Sequence, residues 1–270
     1  MSSGDDQVPF DIARPSPARI YDYFLGGKDH FAVDRQAAER VIAAMGEAAG
    51  RAGAWENRRF LQRAVRLLVE AGIDQFIDLG TGLPTQGNVH EIAQEVNPDA
   101  RVVYVDNDPI VLAHGRALLA RNQSTTVITA DIRDPDSILG HPRLNALIDF
   151  SRPVAVMLVA VLHFIRDADD PAGIVKRFRD VMAPGSYLTL THASTDGLPL
   201  EDLTQIVKVY DKATSPAVFR SREQIKSLFD GTQLIEPGLV HPWQWQPQYG
   251  PVSPRTSMLY GGVGRIPSSV

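Results

Sequence analysis

The apolar positions keep one rhythm up to about residue 72 and a different one after it. From Pro17 to Gly50, Ile20, Phe24, Val33, Ala37, Val41 and Ile42 recur at helical spacing, which predicts short helices joined by the Gly26-Gly27 pair. Trp55 to Ala71 predicts a stronger helix, with Phe60, Leu61, Ala64, Val65, Leu67 and Leu68 on one broad face and Gly72 as its stop. Beyond Gly72, strand and helix patterns alternate. Gln75 to Gly80, Arg101 to Asp106, Thr125 to Asp131, Pro153 to Leu162 and Ser186 to His192 read as strands. Thr85 to Val96, Pro109 to Arg121 (with Asp108 as cap) and Pro171 to Met182 read as helices. The run from Pro153 is unbroken and rich in Val, as in a parallel strand buried on both faces. Two more helices, Pro199 to Lys212 and Ser221 to Phe229, and two more strands, Gln233 to Val240 and Ser257 to Gly264, complete the pattern.

Strands separated by helices imply a parallel sheet with right-handed crossovers, a doubly wound α/β fold. The last two strands have no helix between them, which favours an antiparallel ending. Residues 1 to 15 hold Ser, Gly, Asp and Pro without an apolar period, so a mobile arm is expected there. Residues 16 to 270 read as one domain, with 16 to 55 a helical lid ahead of the sheet and 195 to 220 a helical insertion.

Composition narrows the class. A chain of 270 residues, 44% apolar and 22% charged, can bury a sizeable core without staples. It has no cysteine, which excludes disulfides, thiolate metal sites and cysteine nucleophiles. A net charge of −5 gives no general attraction to phosphate backbones or anionic membranes, so neither nucleic acid nor membrane is an expected partner. The longest apolar run, Val154 to Ile165, is too short to span a bilayer, and the amino terminus carries acids where a secretory signal carries bases. A cytoplasmic protein is expected. No His/Asp/Glu spacing suggests a metal.

In open α/β sheets, ligands sit outside the carboxyl ends of the strands where strand order reverses. The first strand ends in DLGTGLPTQGN, placing Asp78, Gly80, Thr81 and Gly82 at the turn. The second ends in Asp106-Asn107, suited to ribose hydroxyls, and the third in Asp131-Ile132, a carboxylate for an adenine amino group and an apolar side chain for its ring. The dinucleotide fingerprint wants a third glycine where Thr85 follows Pro84, and neither a Tyr-x-x-x-Lys pair nor a phosphate-binding G-x-x-x-x-G-K-[ST] loop occurs. Asp78 would repel a pyrophosphate but suits an ammonium and a sulfonium. The local chemistry favours S-adenosylmethionine over NAD.

The runs PSPARIYDYFLGGKDHFAVD, NRRFLQRAVRLLVEAG, QFIDLGTGLPTQGNVHE, RVVYVDNDP and PVAVMLVAVLHFI resemble an actinobacterial family described as S-adenosylmethionine-dependent methyltransferases, formerly a domain of unknown function. The resemblance runs from about Pro15 to Gly264. It implies the class I methyltransferase fold, a seven-stranded Rossmann-like sheet whose last strand is antiparallel. It further implies that Asp78, Gly80 and Gly82 face the methionine part of the cofactor, Asp106 the ribose, and Asp131 with Ile132 the adenine. Pro84 departs from the third glycine of many class I enzymes.

For chemistry, His163 past the fourth strand is the first candidate base and His192 past the fifth the second, while His90 reads as structural. In the lid, Tyr21 is a candidate donor to cofactor or substrate and Lys28 a partner for the cofactor carboxylate, with Gly26-Gly27 as hinge. Asn57 and Arg58 are expected to begin a helix near the same mouth, Arg58 as a second carboxylate partner. Trp243 and Trp245 either floor an acceptor pocket or cover the sheet edge. The leading expectation is a methyltransferase acting on a small-molecule acceptor. A non-catalytic binder of the cofactor or its product stands second, and an NAD oxidoreductase third.

Overall fold

The computed structural model describes residues 11–84, 87–119, 122–246 and 258–268. Its strands are β1 (Gln75–Leu79), β2 (Arg101–Asp106), β3 (Thr125–Thr129), β4 (Ala155–Val159), β5 (Tyr187–Ala193), β6 (Gln233–Leu234) and β7 (Leu259–Arg265). They form one sheet in the order β3-β2-β1-β4-β5-β7-β6. Neighbours among β1 to β5 pair in parallel, and β7 runs antiparallel to both β5 and β6. Strand order reverses between β1 and β4, both buried along their whole length.

The helices are α1 (Pro17–Phe24), α2 (Ala32–Met45), α3 (Glu47–Glu70), α4 (Val89–Val96), α5 (Pro109–Leu119), α6 (Pro135–Leu139), α7 (Pro142–Leu147), α8 (Pro171–Arg179), α9 (Leu200–Tyr210) and α10 (Arg222–Ser227). Alternation along the strands divides the core between the two sheet faces. Ile77, Leu79, Val156 and Leu158 pack towards Ile174 and Phe178 of α8 and Ile225 of α10. Phe76, Ala155 and Met157 pack towards Phe60, Ala64 and Leu68 of α3 and Ile92 of α4. Asp78 is two residues past Phe76, so the same alternation points it to the α3 side. A third cluster joins α1, α2 and α9 through Ile20, Phe24, Ala38 and Val41 with Ile206, Val209 and Tyr210.

Several element boundaries differ from the sequence reading, each for a local reason. α3 begins at Glu47 rather than Trp55, because the Ala/Gly-rich stretch 47–54 has helical backbone but little apolar period. Asn57 and Arg58 therefore lie within a helix and do not begin one. α4 begins at Val89, where Asn88 caps it by donating its amide to Glu91 Oε2 at 2.8 Å. β4 stops at Val159 because Ala160 adopts a left-handed conformation (φ 57°). β6 keeps only two residues of the run to Val240: Pro237 has no amide to donate and Gly238 turns left-handed. Residues 1–10 of the expected arm lie outside the described residues. Residues 11–15 are tied down, with Arg19 Nη2 donating to the carbonyls of Asp11 (3.0 Å) and Arg14 (2.8 Å), and the Thr214 amide to that of Pro15 (2.8 Å).

Candidate functional site

A cavity of about 780 Å³ lies between the tips of β1 to β5 and the helices α1, α2, α3 and α9. Its position is where the topology predicts a ligand, beside the reversal of strand order. Asp78, Gly80, Thr81, Gly82, Asp106, Asn107, Asp131, Ile132, Tyr21, Arg58 and His163 all line it. Lys28 and His192 do not.

The turn after β1 is shaped by its glycines. Gly80 (φ 71°) lies so close to Val161 that a Cβ there would sit 2.2 Å from Val161 Cγ2. Gly82 (φ 67°) has open space where its Cβ would be. Thr81 donates its hydroxyl to the Asp78 carbonyl at 2.9 Å, and the Gly82 amide donates to Asp106 Oδ2 at 2.8 Å. Asp106 also accepts the Asp108 amide on Oδ1 at 2.9 Å. Burial pushes its carboxyl up to about 6 against these two bonds.

Asp78 is 4% exposed, and among the described residues nothing donates to its carboxylate. Burial raises its pKa to about 7, with Asp106 adding to the rise and the nearby Arg58 opposing it. Arg58 is also buried. Its Nη2 donates to Asn88 Oδ1 at 2.8 Å, while its Nε has no partner. A guanidinium and a carboxyl thus line one cavity without forming an ion pair with each other.

Asp131 is held differently. Arg133, two residues on, donates Nε to Oδ1 at 2.9 Å and to Oδ2 at 3.1 Å, which keeps the carboxyl below its usual range. The expected adenine contact is therefore an ion-paired carboxylate. Ile132 is buried beside it and joins the core. Lys28 is exposed and is not among the residues that line the cavity. The Gly26-Gly27 pair is no free hinge either. A Cβ on Gly27 would stand 1.9 Å from Asp22 Oδ1, and Asp22 is itself fixed by the Asp29 amide and His30 Nδ1, each at 2.9 Å.

Two hydrogen-bond chains back the cavity. The Ala160 amide donates to Thr191 Oγ1 (2.9 Å), which donates to Asn57 Oδ1 (2.6 Å). Asn57 Nδ2 in turn donates to the Tyr21 hydroxyl (2.9 Å), which donates to the Ala54 carbonyl (3.0 Å). Among the described residues of the lining, Ala160 is the strained backbone position that no glycine relieves. In the second chain, Arg220 Nη1 donates to His192 Nε2 at 2.6 Å, and His192 Nδ1 donates to the Ala193 carbonyl at 2.7 Å. Fully buried, with both ring nitrogens engaged and its pKa driven down to about 4 by burial, His192 is withdrawn from the cavity. His90 bonds Tyr104 through Nδ1 at 2.7 Å and is structural. Trp245 is fully buried, edge-on to Phe60 at 5.2 Å, and covers the sheet; it does not floor the cavity.

Sequence reasoning missed the apolar part of the lining, Phe164, Ile206, Tyr210, Phe219 and Met258, and the buried Arg220. Those positions carry only a helical or loop pattern. The signal for Asp131 was present: a basic residue two positions on is within reach of its carboxylate.

A family model described as S-adenosyl methyltransferase matches residues 3–267. The chain belongs to that family. It is a class I, S-adenosylmethionine-dependent methyltransferase by family and fold. A crystal structure of a candidate methyltransferase from Thermobifida fusca YX is 44% identical, covers 98% of this chain and 100% of its own, and superposes with a TM-score of 0.88. That of a DUF574 family protein from Streptomyces avermitilis MA-4680 is 39% identical, covers 95% and 99%, and gives 0.90. Human N-acetylserotonin methyltransferase in complex with S-adenosylmethionine, 15% identical over 92% of this chain and 62% of its own, shares the fold at 0.50. No curated protein matches the chain. Among the described residues, no helix is long and apolar enough to cross a membrane.

Family membership makes S-adenosylmethionine the cofactor, and the cavity's chemistry suits it. The amino-acid end of that molecule carries one ammonium and one carboxylate. Asp78, with no donor among the described residues, and Arg58, with an orphaned Nε, carry charges that would complement them. The open side of Gly82 leaves room for close approach to backbone.

Proposed function

We propose that the cavity holds S-adenosylmethionine across the tips of β1, β2 and β3 and that the protein methylates a small molecule seated beneath α1, α2 and α9. The observation that carries this reading is the buried, unpaired opposition of Asp78 and Arg58 at the turn after β1. Asp78 takes the ammonium and Arg58 the carboxylate. Asp106, whose oxygens each have a lone pair left after bonding Gly82 and Asp108, accepts from the ribose hydroxyls, with Asn107 beside it. Ile132 packs on the adenine ring and Asp131 accepts from its amino group. Gly80, Thr81 and Gly82 shape the turn so that backbone meets ligand.

The bound cofactor supplies an electrophilic methyl group on a sulfonium. The chain's own contribution is position and enclosure. α1, α2 and α9 share one apolar cluster that covers the cavity from one side and so positions what it holds. A cavity of about 780 Å³ bounded this way suits a small molecule, not a polymer. Tyr21, held between Asn57 and Ala54, serves this architecture by fixing α1 to α3.

Calorimetry with S-adenosylhomocysteine, followed by labelled-methyl transfer into a small-molecule extract of an actinobacterial culture, tests the reading. Binding that is weakened by about 1–3 kcal/mol in Arg58→Met, together with label in a small product, is the expected outcome. Tight binding with no incorporation would replace the enzyme by a sensor of the cofactor. Unchanged binding in the variant would displace the site.

A further inference from the structure

The second hydrogen-bond chain has a fixed direction, because two of its members can only donate. Arg220 has no acceptor, so His192 Nε2 receives its Nη1 proton and His192 must carry its own ring proton on Nδ1. The Ala193 amide is likewise only a donor, and it points at His163 Nδ1 across 3.4 Å. A neutral His163 therefore bears its proton on Nε2. The ring lines the cavity, and among the described residues nothing bonds to that nitrogen. Burial, then the neighbouring His192 and Arg220, holds the imidazole well below its usual range, so it stays neutral. Asp167, whose charge bears on the neighbouring His192, is engaged by Arg220 at 2.6 Å.

His192, the other candidate base, offers no lone pair to the cavity, and the Asp78 and Asp106 carboxylates stand at the end of it assigned to the cofactor. The Tyr21 proton is donated to Ala54, and both His192 nitrogens are engaged. Phe164, whose ring lies 4.3 Å from that of His163, lines the cavity together with Ile206, Tyr210, Phe219 and Met258, all of one apolar cluster.

We propose that His163 meets the methyl acceptor as a hydrogen-bond donor through Nε2–H, and that this acceptor is an uncharged, mostly apolar molecule with a carbonyl oxygen or ring nitrogen against that N–H, methylated at an atom that needs no protein base. The inference rests on the methyl-transfer reading of the cavity. The acceptor's own lone pair forms the new bond to the methyl carbon, while the carbon–sulfur bond breaks with its electrons left on sulfur. Any proton on the attacking atom leaves to water after transfer. An unactivated alcohol, which must lose its proton to a base, is the class this arrangement rejects.

The tautomer is measurable without turnover. In uniformly ¹⁵N-labelled full-length protein, two-bond proton–nitrogen spectra between about pH 5 and 8 should show His163, assigned by loss of its signals in His163→Gln, with Nε2 protonated and Nδ1 bare throughout. A proton on Nδ1, or a charged ring near neutrality, would overturn the proposal. Quinoline, naphthalene and indole then probe the pocket of protein saturated with S-adenosylhomocysteine. Quinoline should bind about fivefold or more tighter than the other two, and His163→Phe should erase the difference. Equal affinities, a preference for indole, or no binding of any probe would also overturn it. Failure of S-adenosylhomocysteine itself to bind would instead sink the cofactor reading, since the spectra are recorded on the free protein as well.

Discussion

The backbone amide of Gly82 donates to Oδ2 of Asp106 at 2.8 Å, which ties the turn after β1 to the tip of β2. One carboxylate thus holds the loop on which the cofactor would lie and, in the proposed site, would also meet the ribose. Asp106→Ala should weaken S-adenosylhomocysteine binding by about 1–3 kcal/mol, from unpaired ligand hydroxyls and a loosened Gly82. Asp106→Asn keeps one acceptor but turns an amide NH₂ towards either Gly82 or Asp108, and should fall between the two. Isothermal calorimetry checks both; native affinity in a folded alanine variant removes Asp106 from the site.

Asp78 sets function against stability. Its folded pKa of about 7 lies above the unfolded value near 3.8, so the folded protein holds that proton more tightly. The sign follows: the stability Asp78 contributes is fully present below about pH 4 and is lost as pH rises through about 7. Asp78→Asn does not titrate and should gain on the parent over that window, with a ceiling of roughly 4 kcal/mol for three pKa units. An ammonium needs the ionised form, so parental affinity for S-adenosylhomocysteine should fall below pH 7, and binding at pH 7 should release a proton. Denaturation curves at pH 4.5 and 8, and calorimetry in buffers of different ionisation heat, read these effects. An asparagine variant no more stable than the parent at pH 8 contradicts the burial argument.

The sheet was legible because each strand is a run of apolar residues ended by a distinct signal. Asp78-Gly80, Asp106 and Asp131 mark the tips of β1, β2 and β3, and all of them line the cavity. What the one-dimensional pattern could not carry is partnership across the fold. Lys28 and Arg58 are both basic residues near the mouth by sequence. Only packing shows Lys28 in solvent and Arg58 behind β1, on the face that alternation gives to Asp78. His163 and His192 likewise each follow a strand. Arg220, nearly thirty residues further along the chain, separates them by engaging the second. The apolar lining from α9 onwards has no chemical signature, so it reads as ordinary helix until it is seen facing the strand tips.

Gly27 is needed for contact more than for freedom. Asp22 fills the place its Cβ would take, and Asp22 is anchored by the Asp29 amide and His30. Gly27→Ala should therefore displace a buried carboxylate and destabilise the protein by about 1–3 kcal/mol, the usual range for overpacking. Gly26→Ala, at φ 78° but with open space around it, should cost only the left-handed strain of about 1 kcal/mol. Paired denaturation curves check the order. A Gly27 variant milder than the Gly26 variant would restore the hinge reading.

The attachment of α1 to the rest of the cap rests on Asp34, which is fully buried and accepts three donors: the Ser16 amide at 2.9 Å, Arg19 Nε at 2.9 Å and the Phe31 amide at 2.8 Å. Arg19 also reaches towards Asp108, 3.7 Å away, just past the tip of β2. Asp34→Ala leaves a buried guanidinium without its main partner, a change that typically costs 3–5 kcal/mol. Because Arg19 and Ser16 connect α1 to Asp108, the same variant should loosen the cap locally before the sheet unfolds. Proteolysis should then cut near residues 11–31 at denaturant concentrations that leave the sheet intact, and S-adenosylhomocysteine should slow the cutting. Asp34→Asn keeps an oxygen for one donor and should recover part of the loss. If Asp34→Ala matches the parent in both stability and protease resistance, the ion pair is dispensable and α1 is held by Ile20 and Phe24 alone.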